Sequence, residues 1–248
     1  MHGASLYCMA DTEPLTQIRV VLCGTSHPGN IGAAARAMKT MGLSRLHLVA
    51  PQRFPDPEAE RRAARAGDLL AAAEVHATLD EALRGVAFAV ACTTRTREVA
   101  VPAATAREAA ARVVEVALSQ PAALVFGNET YGLTTEDVNK CALLATIPAN
   151  PGYSSLNLAA AVQVFAYELR MAAASAPEVP GRLLAPHDEV EGFYGHLESV
   201  MVDTGFFDPE HPKKLMPRLR RLFARAGLEH DEVNILRGIL KALSRPRK

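Results

Sequence analysis

The chain has no tryptophan, only 5% aromatic residues and no net charge, with 27 Lys/Arg against 27 Asp/Glu. A neutral total excludes a nucleic-acid binder that is basic over its whole surface. No apolar run approaches the ~18 residues of a membrane-spanning helix. The first sixteen residues lack a basic stretch followed by an apolar one, so no secretory signal is expected. The four cysteines, Cys8, Cys23, Cys92 and Cys141, show no CxxC spacing, and three lie in apolar runs. They are expected to be reduced core thiols of a cytoplasmic protein. Neither GxGxxG nor GxxxxGK[ST] occurs, which excludes the usual dinucleotide and Walker-type phosphate cradles, and GxSxG is also missing. His27, His47 and His76 stand far apart, without HxxxH spacing or acid pairs, so no metal site is expected.

What is present describes a folded α/β chain. With 49% hydrophobic and 22% charged residues over 248 positions, it can bury a sizeable core. Apolar runs at 18–23, 45–50, 86–92, 122–126 and 141–147 read as strands, with a weak short one at 75–77. Helical patterns at 33–41, 58–73 (broken near Gly67), 105–120 and 156–169 separate them, and Thr78/Glu81 and Thr105/Glu108 have capping-box spacing. Strands that are apolar throughout and alternate with helices predict a parallel sheet covered on both faces. After a Pro/Gly linker the strand pattern ends. Helices are expected near 187–203, 212–226 and 231–244, the middle one with Pro212 in its first turn. The expected division is a flexible tail (1–16), an α/β domain (17–174), a linker (175–186) and a small helical domain (187–248).

Four polar loops follow strands: TSHPGNIG (25–32), TTRTRE (93–98), GNETYGLT (127–134) and NPGYSSLN (150–157). In an open parallel sheet such loops gather beyond the carboxyl ends of the strands, where ligands bind. The last is stiffened by Pro148 and Pro151 and opens onto a helix, with Ser154 or Ser155 placed to cap it. Rich in Asn, Ser and Arg with one Glu, the set suits hydrogen bonding and positioning, not metal or covalent catalysis.

Charge is unevenly distributed. From His211 onward eleven Lys/Arg face three acids, the local excess expected of a surface for a phosphate backbone. Lys213, Lys214, Arg218, Arg221 and Arg225 recur at helical spacing, with Leu215, Leu219 and Leu222 able to pack inward. A solvated helix face is the ordinary reading of such a run, and the leucines equally permit a dimer interface.

Three motifs, NIGAAAR (30–36), FGNETYGL (126–133) and IP through SSLN (147–157), match in order and spacing those of SPOUT-superfamily RNA methyltransferases of the TrmH-like branch. The resemblance covers residues 18–169. With TTRTRE and the helical extension, it is greatest to members that methylate the ribose 2′-OH of nucleotide 32 in the tRNA anticodon loop. It implies a parallel α/β fold with a C-terminal deep trefoil knot, S-adenosylmethionine as cofactor, tRNA as partner, and a homodimer through the knotted region. Carried over by position, Asn30, Arg36, Glu129, Ser155 and Asn157 are implied to be catalytic. Cys92, Thr93, Thr94, Gly127, Ile147, Ser154, Ser155 and Leu156 are implied to bind the cofactor; Cys92 departs from the small hydroxyl residue usual there. Arg95, Arg97, Lys213, Lys214 and Arg218 are expected to contact RNA phosphates. Arg36, always charged, is read as a phosphate and 2′-oxygen clamp in place of a base. A related enzyme acting on rRNA or another tRNA position, and a non-catalytic RNA-binding protein of the same fold, are the alternatives.

Overall fold

The computed structural model describes residues 14–94, 101–174 and 183–244. In chain order come β1 (Ile18–Cys23), α1 (Pro28–Thr40), β2 (Arg45–Val49), α2 (Pro57–Ala63), α3 (Gly67–Ala71), β3 (Glu74–His76) and α4 (Leu79–Leu83). Then follow β4 (Phe88–Cys92), β5 (Ala103–Thr105), α5 (Ala106–Ala117), β6 (Ala122–Phe126), α6 (Thr135–Asn139), β7 (Leu143–Thr146) and α7 (Leu158–Ala173). Three further helices, α8 (His187–Asp203), α9 (Leu215–Ala226) and α10 (His230–Leu243), complete the described chain. The strands form one sheet in the order β3-β2-β1-β6-β4-β7-β5, and every pairing is parallel.

Because side chains alternate along a strand, each central strand feeds two cores. Val20 and Leu22 of β1, Val90 and Cys92 of β4, and Leu124 and Phe126 of β6 face the layer of α1, α5 and α7. Val21, Ala89, Ala91, Ala123 and Val125 face the other way, toward Leu79 and Leu83 of α4 and Val138 of α6. With no polar face to show to water, such strands must be apolar throughout, as their sequence is. On α7, Leu158, Val162, Phe165, Ala166 and Leu169 recur on one face and are buried against the chain's own sheet.

Several boundaries differ from expectation for local reasons. Helix α1 begins at Pro28, ahead of 33, because proline's fixed φ and missing N–H suit a first turn. The break before Gly67 is a 3-10 turn at Ala64–Ala66. Thr105 and Glu108 form the full reciprocal box, whereas Glu81 reaches back to the amide of Ala77 and not to Thr78. The short strand β5 was not expected. Helix α9 starts at Leu215, and Pro212 lies before it in a turn that accepts from Leu215 N–H. At the amino end, Leu15 is fully buried in a 3-10 turn, within the segment expected as a tail.

The helical part packs on the sheet domain. Gln120 holds Leu184 by a two-way bond, its Nε2 donating to Leu184 O and its Oε1 accepting from Leu184 N, both at 2.7 Å. His187 N donates to Val86 O at 2.7 Å, Gly85 N to the Asp188 carboxylate at 3.1 Å, and His187 Nε2 lies 3.1 Å from Asp80. Phe193, Tyr194, Val200, Val233 and Leu240 make a separate small core, with Arg220 over the Tyr194 ring and paired to Glu191.

The histidines are not all apart. Parallel pairing of β2 with β3 brings His47 Nδ1 to 2.9 Å from His76 Nε2, with Glu74 3.9 Å from His47 Nε2. The expectation of scattered histidines is therefore corrected: these three groups converge at the sheet edge, and the two rings satisfy each other through one N–H···N bond. Burial pushes His47 down to about 4, so its ring is neutral in the fold at neutral pH. An unfolded chain protonates the same ring below about 6.5, so acid favours unfolding. The melting temperature is expected to fall as pH drops from about 6.5 toward 4, and His47→Phe should flatten that fall. Melts at pH 7 and pH 5 check it; equal slopes in both proteins would remove His47 as the cause.

Candidate active site

Four strands end beside one another, and their loops build the site. After β6 the chain must reverse tightly: a Cβ on Gly127 would lie 2.1 Å from the backbone of Gly132 and Leu133, so only glycine fits. Asn128 organises the turn, its Oδ1 accepting from Thr130 N at 2.8 Å and Tyr131 N at 3.2 Å. Its Nδ2 donates to Gly24 O at 2.7 Å, which ties this loop to the one after β1.

The next residue makes the principal contact. Helix α1 has His27 at its N-cap with no side-chain cap bond, and the amides of Ser26 and His27, which lead into the helix, take their acceptor from elsewhere. Glu129 provides it from the neighbouring loop. Its carboxylate accepts from Ser26 N at 3.0 Å, Ser26 Oγ at 2.9 Å, His27 N at 3.3 Å and Asn30 Nδ2 at 2.8 Å. Asn30 Oδ1 in turn accepts from Asn157 Nδ2 at 3.0 Å, and Asn157 Oδ1 caps α7 by accepting from Ala159 N at 3.0 Å. The α7 cap is thus Asn157, not Ser154 or Ser155. One hydrogen-bonded chain, Glu129–Asn30–Asn157, joins three of the loops. Partial burial pushes the Glu129 pKa up, but the hydrogen bonds from Asn30 and Ser26 outweigh it and hold the group at about 2.

Beside this chain lies a cleft lined by Cys92, Thr93, Thr94, Gly127, Ile147, Ser155 and Leu156, floored by Phe126, Leu158 and Phe165, with Glu129 at its edge. Of the residues expected to bind a cofactor, Ser154 is the one not among the lining residues. Cys92 is buried, and this burial pushes its thiol well up, so it lines the cleft as a neutral apolar group. A second groove, lined by His27, Asn30, Glu58, Arg62 and Asn157 among others, adjoins the two asparagines. Ser26, Asn128 and Arg62 were not singled out from sequence. The hydroxyl of Ser26, one residue before the N-cap, was the available signal for the first.

Arg36 lines neither the cleft nor the groove. Six residues beyond Asn30 on α1, it points about 240° around the helix from it. It is exposed, and its guanidinium has no partner among the described residues. Arg95 and Arg97 fall outside the described residues. Lys213, Lys214 and Arg218 are brought together around one shallow hollow in the helical part.

An α/β sheet with this loop cluster has counterparts. Residues 17–167 match the model of the SpoU rRNA Methylase family. The chain belongs to that family. Residues 188–248 match the tRNA methyltransferase TrmJ, C-terminal domain. A tRNA (cytidine/uridine-2′-O-)-methyltransferase TrmJ from Cronobacter sakazakii is 48% identical over 240 residues, covering 94% of this chain and 98% of that protein. A tRNA (cytidine/uridine/adenosine-2′-O-)-methyltransferase TrmJ from Pseudomonas aeruginosa is also 48% identical, covering 91% and 93%. The crystal structure of TrmJ from Z. mobilis ZM4 superposes with a TM-score of 0.81 at 35% identity, covering 92% of this chain and 99% of that one.

Replacing Glu129 by Ala is expected to lower stability by about 1 kcal/mol, the cost of stranding donors at a partly solvated site. In the wild type the contribution of this carboxylate is present above pH 4.5 and lost as pH falls through about 2, because its folded pKa is depressed. Denaturant titrations at pH 7 and pH 2 check both; a Glu129→Ala variant as stable as wild type at pH 7 contradicts the anchoring role.

Proposed function

We propose that the chain is an S-adenosylmethionine-dependent tRNA 2′-O-methyltransferase acting on the ribose of cytidine or uridine 32 in the anticodon loop. The cleft carries the reading. Among its described lining residues Glu129 is the one charged group, and none is Lys or Arg, so nothing there neutralises a phosphate. A dinucleotide or a nucleoside triphosphate suits such a site poorly, while a ligand with cationic sulfonium and ammonium groups suits it well. Backbone groups at Thr93, Gly127, Ile147 and Leu156 would meet the adenine, and Phe126, Leu158 and Phe165 would exclude water from the donor. When bound, the cofactor supplies a methyl group made electrophilic by its sulfonium.

The chain's own residues then hold a ribose oxygen in line with that methyl group. A carboxylate at about 2 is too weak a base to take a hydroxyl proton at neutral pH, so Glu129 is a positioning residue. It fixes the start of α1 and, through Asn30 and Asn157, the start of α7. Ser155, exposed at the cleft, would offer a hydroxyl to an incoming ribose. Arg36 faces away from its own cleft, and we assign it to the partner's cleft in a homodimer formed through the knotted loops, as a phosphate and 2′-oxygen clamp. Lys213, Lys214 and Arg218, with Arg95 and Arg97, would hold the RNA backbone.

Mass spectrometry of nuclease fragments from an unmodified tRNA transcript incubated with protein and donor should show one 2′-O-methyl nucleotide, in the fragment carrying position 32. Unmethylated tRNA would overturn the reading. Arg36→Ala should leave adenosylhomocysteine affinity and melting temperature unchanged while methylation falls by about 100-fold or more. Undiminished turnover would demote Arg36 to a surface residue.

A further inference from the structure

We propose that Phe206 is a stacking platform for an unpaired base of bound RNA, with Lys213, Lys214 and Arg218 holding the flanking phosphates. The proposal rests on the tRNA reading given above and adds to it a contact that is not electrostatic.

Two neighbouring rings at the end of α8 have opposite fates. Gly205, at φ +72°, ends the helix in the left-handed region, and its amide donates to Val202 O at 2.9 Å. The amides of Phe206 and Phe207 both return to Met201 O, at 2.9 and 3.0 Å. The backbone of both residues is thereby pinned. Phe207 is buried and anchors the turn, while Phe206 is 72% exposed. An exposed apolar side chain alone is ordinary. What distinguishes Phe206 is its company: it shares one hollow with Lys213, Lys214 and Arg218, all exposed. Asp208, the acid lining that hollow, already accepts from His211 Nδ1 and Glu210 N, both at 2.9 Å. Three Lys/Arg side chains line the hollow against that one acid.

An aromatic face beside a cationic track is the arrangement that binds single-stranded nucleic acid, since every base presents a π-face and every nucleotide a phosphate. A loop with unstacked bases supplies that ligand, whereas a duplex keeps its bases in the stack. A second protein copy would find the ring but would be repelled by an identical cluster of positive charge.

The test uses the full chain and an unmodified tRNA transcript, with binding measured over a salt series. Phe206→Ala should weaken binding about tenfold at every salt concentration, leaving the salt slope unchanged, because stacking releases no counterions. Phe206→Trp should bind like wild type and Phe206→Leu like Phe206→Ala. Replacing Lys213, Lys214 and Arg218 together by Ala should instead flatten the slope by about two to three units. Leu performing as well as Trp would reduce the contact to apolar packing and overturn the proposal. So would a change of oligomeric state in Phe206→Ala, which would make the ring an interface between copies. If wild type binds and methylates tRNA while Phe206→Ala is unaffected, this proposal fails and the tRNA reading stands. If wild type binds no tRNA, both fail.

Discussion

A single carboxylate carries more of this architecture than its size suggests. Glu129 sits on the loop after β6, yet it holds the two amides that lead into the helix following β1, whose own N-cap residue makes no side-chain cap bond. Backbone amides at such a junction need acceptors, and here the acceptor comes from a segment about a hundred residues away in sequence. Two adjacent strands of the sheet therefore cannot separate at their loops without leaving the Ser26 and His27 amides unpaired. Asn128, by holding Gly24 O from the same turn, adds a second tie between the same loops. The cleft lies against this joint, and its shape depends on the joint staying closed.

Much of this order is visible in residue patterns, and the portion that is not has a common cause. Alternation and apolar continuity identified the parallel sheet, because burial on both faces leaves a pattern in each strand taken alone. The loops after β4, β6 and β7 could be placed at one end for the same reason. Pairwise geometry between distant segments left no such trace. His47 and His76 look unrelated until β2 and β3 align, and Ser26 gains its significance from a carboxylate that no spacing rule connects to it. Capping shows the same limit: Ser154, Ser155 and Asn157 are all chemically able, and the fold of the loop decided for Asn157. The short strand β5 has too few residues to show a period of two, and only its partner β7 defines it.

The small helical part illustrates how a charge excess becomes a surface. Its basic residues are unremarkable as a list, since Arg220 is consumed internally by Glu191 and Tyr194. Others, such as Lys213, Lys214 and Arg218, stay at the rim. Burial of Phe193 and Val233 in a separate core keeps these helices together, so the exposed cations hold fixed relative positions.

The two-way bond between Gln120 and Leu184 has a mechanical meaning. A side chain imitating a strand neighbour pins the segment entering the helical part directly to the α/β body, and His187 and Asp188 repeat the attachment a few residues later. Parts joined at several points cannot swing as beads on a string do. The basic hollow and the cleft thereby belong to one tied body, as the two jaws of a caliper do. On the tRNA reading proposed above, an RNA seated on the helices would be offered to the cleft at one offset along its backbone, and a nucleotide would be selected by position even where its base is not read.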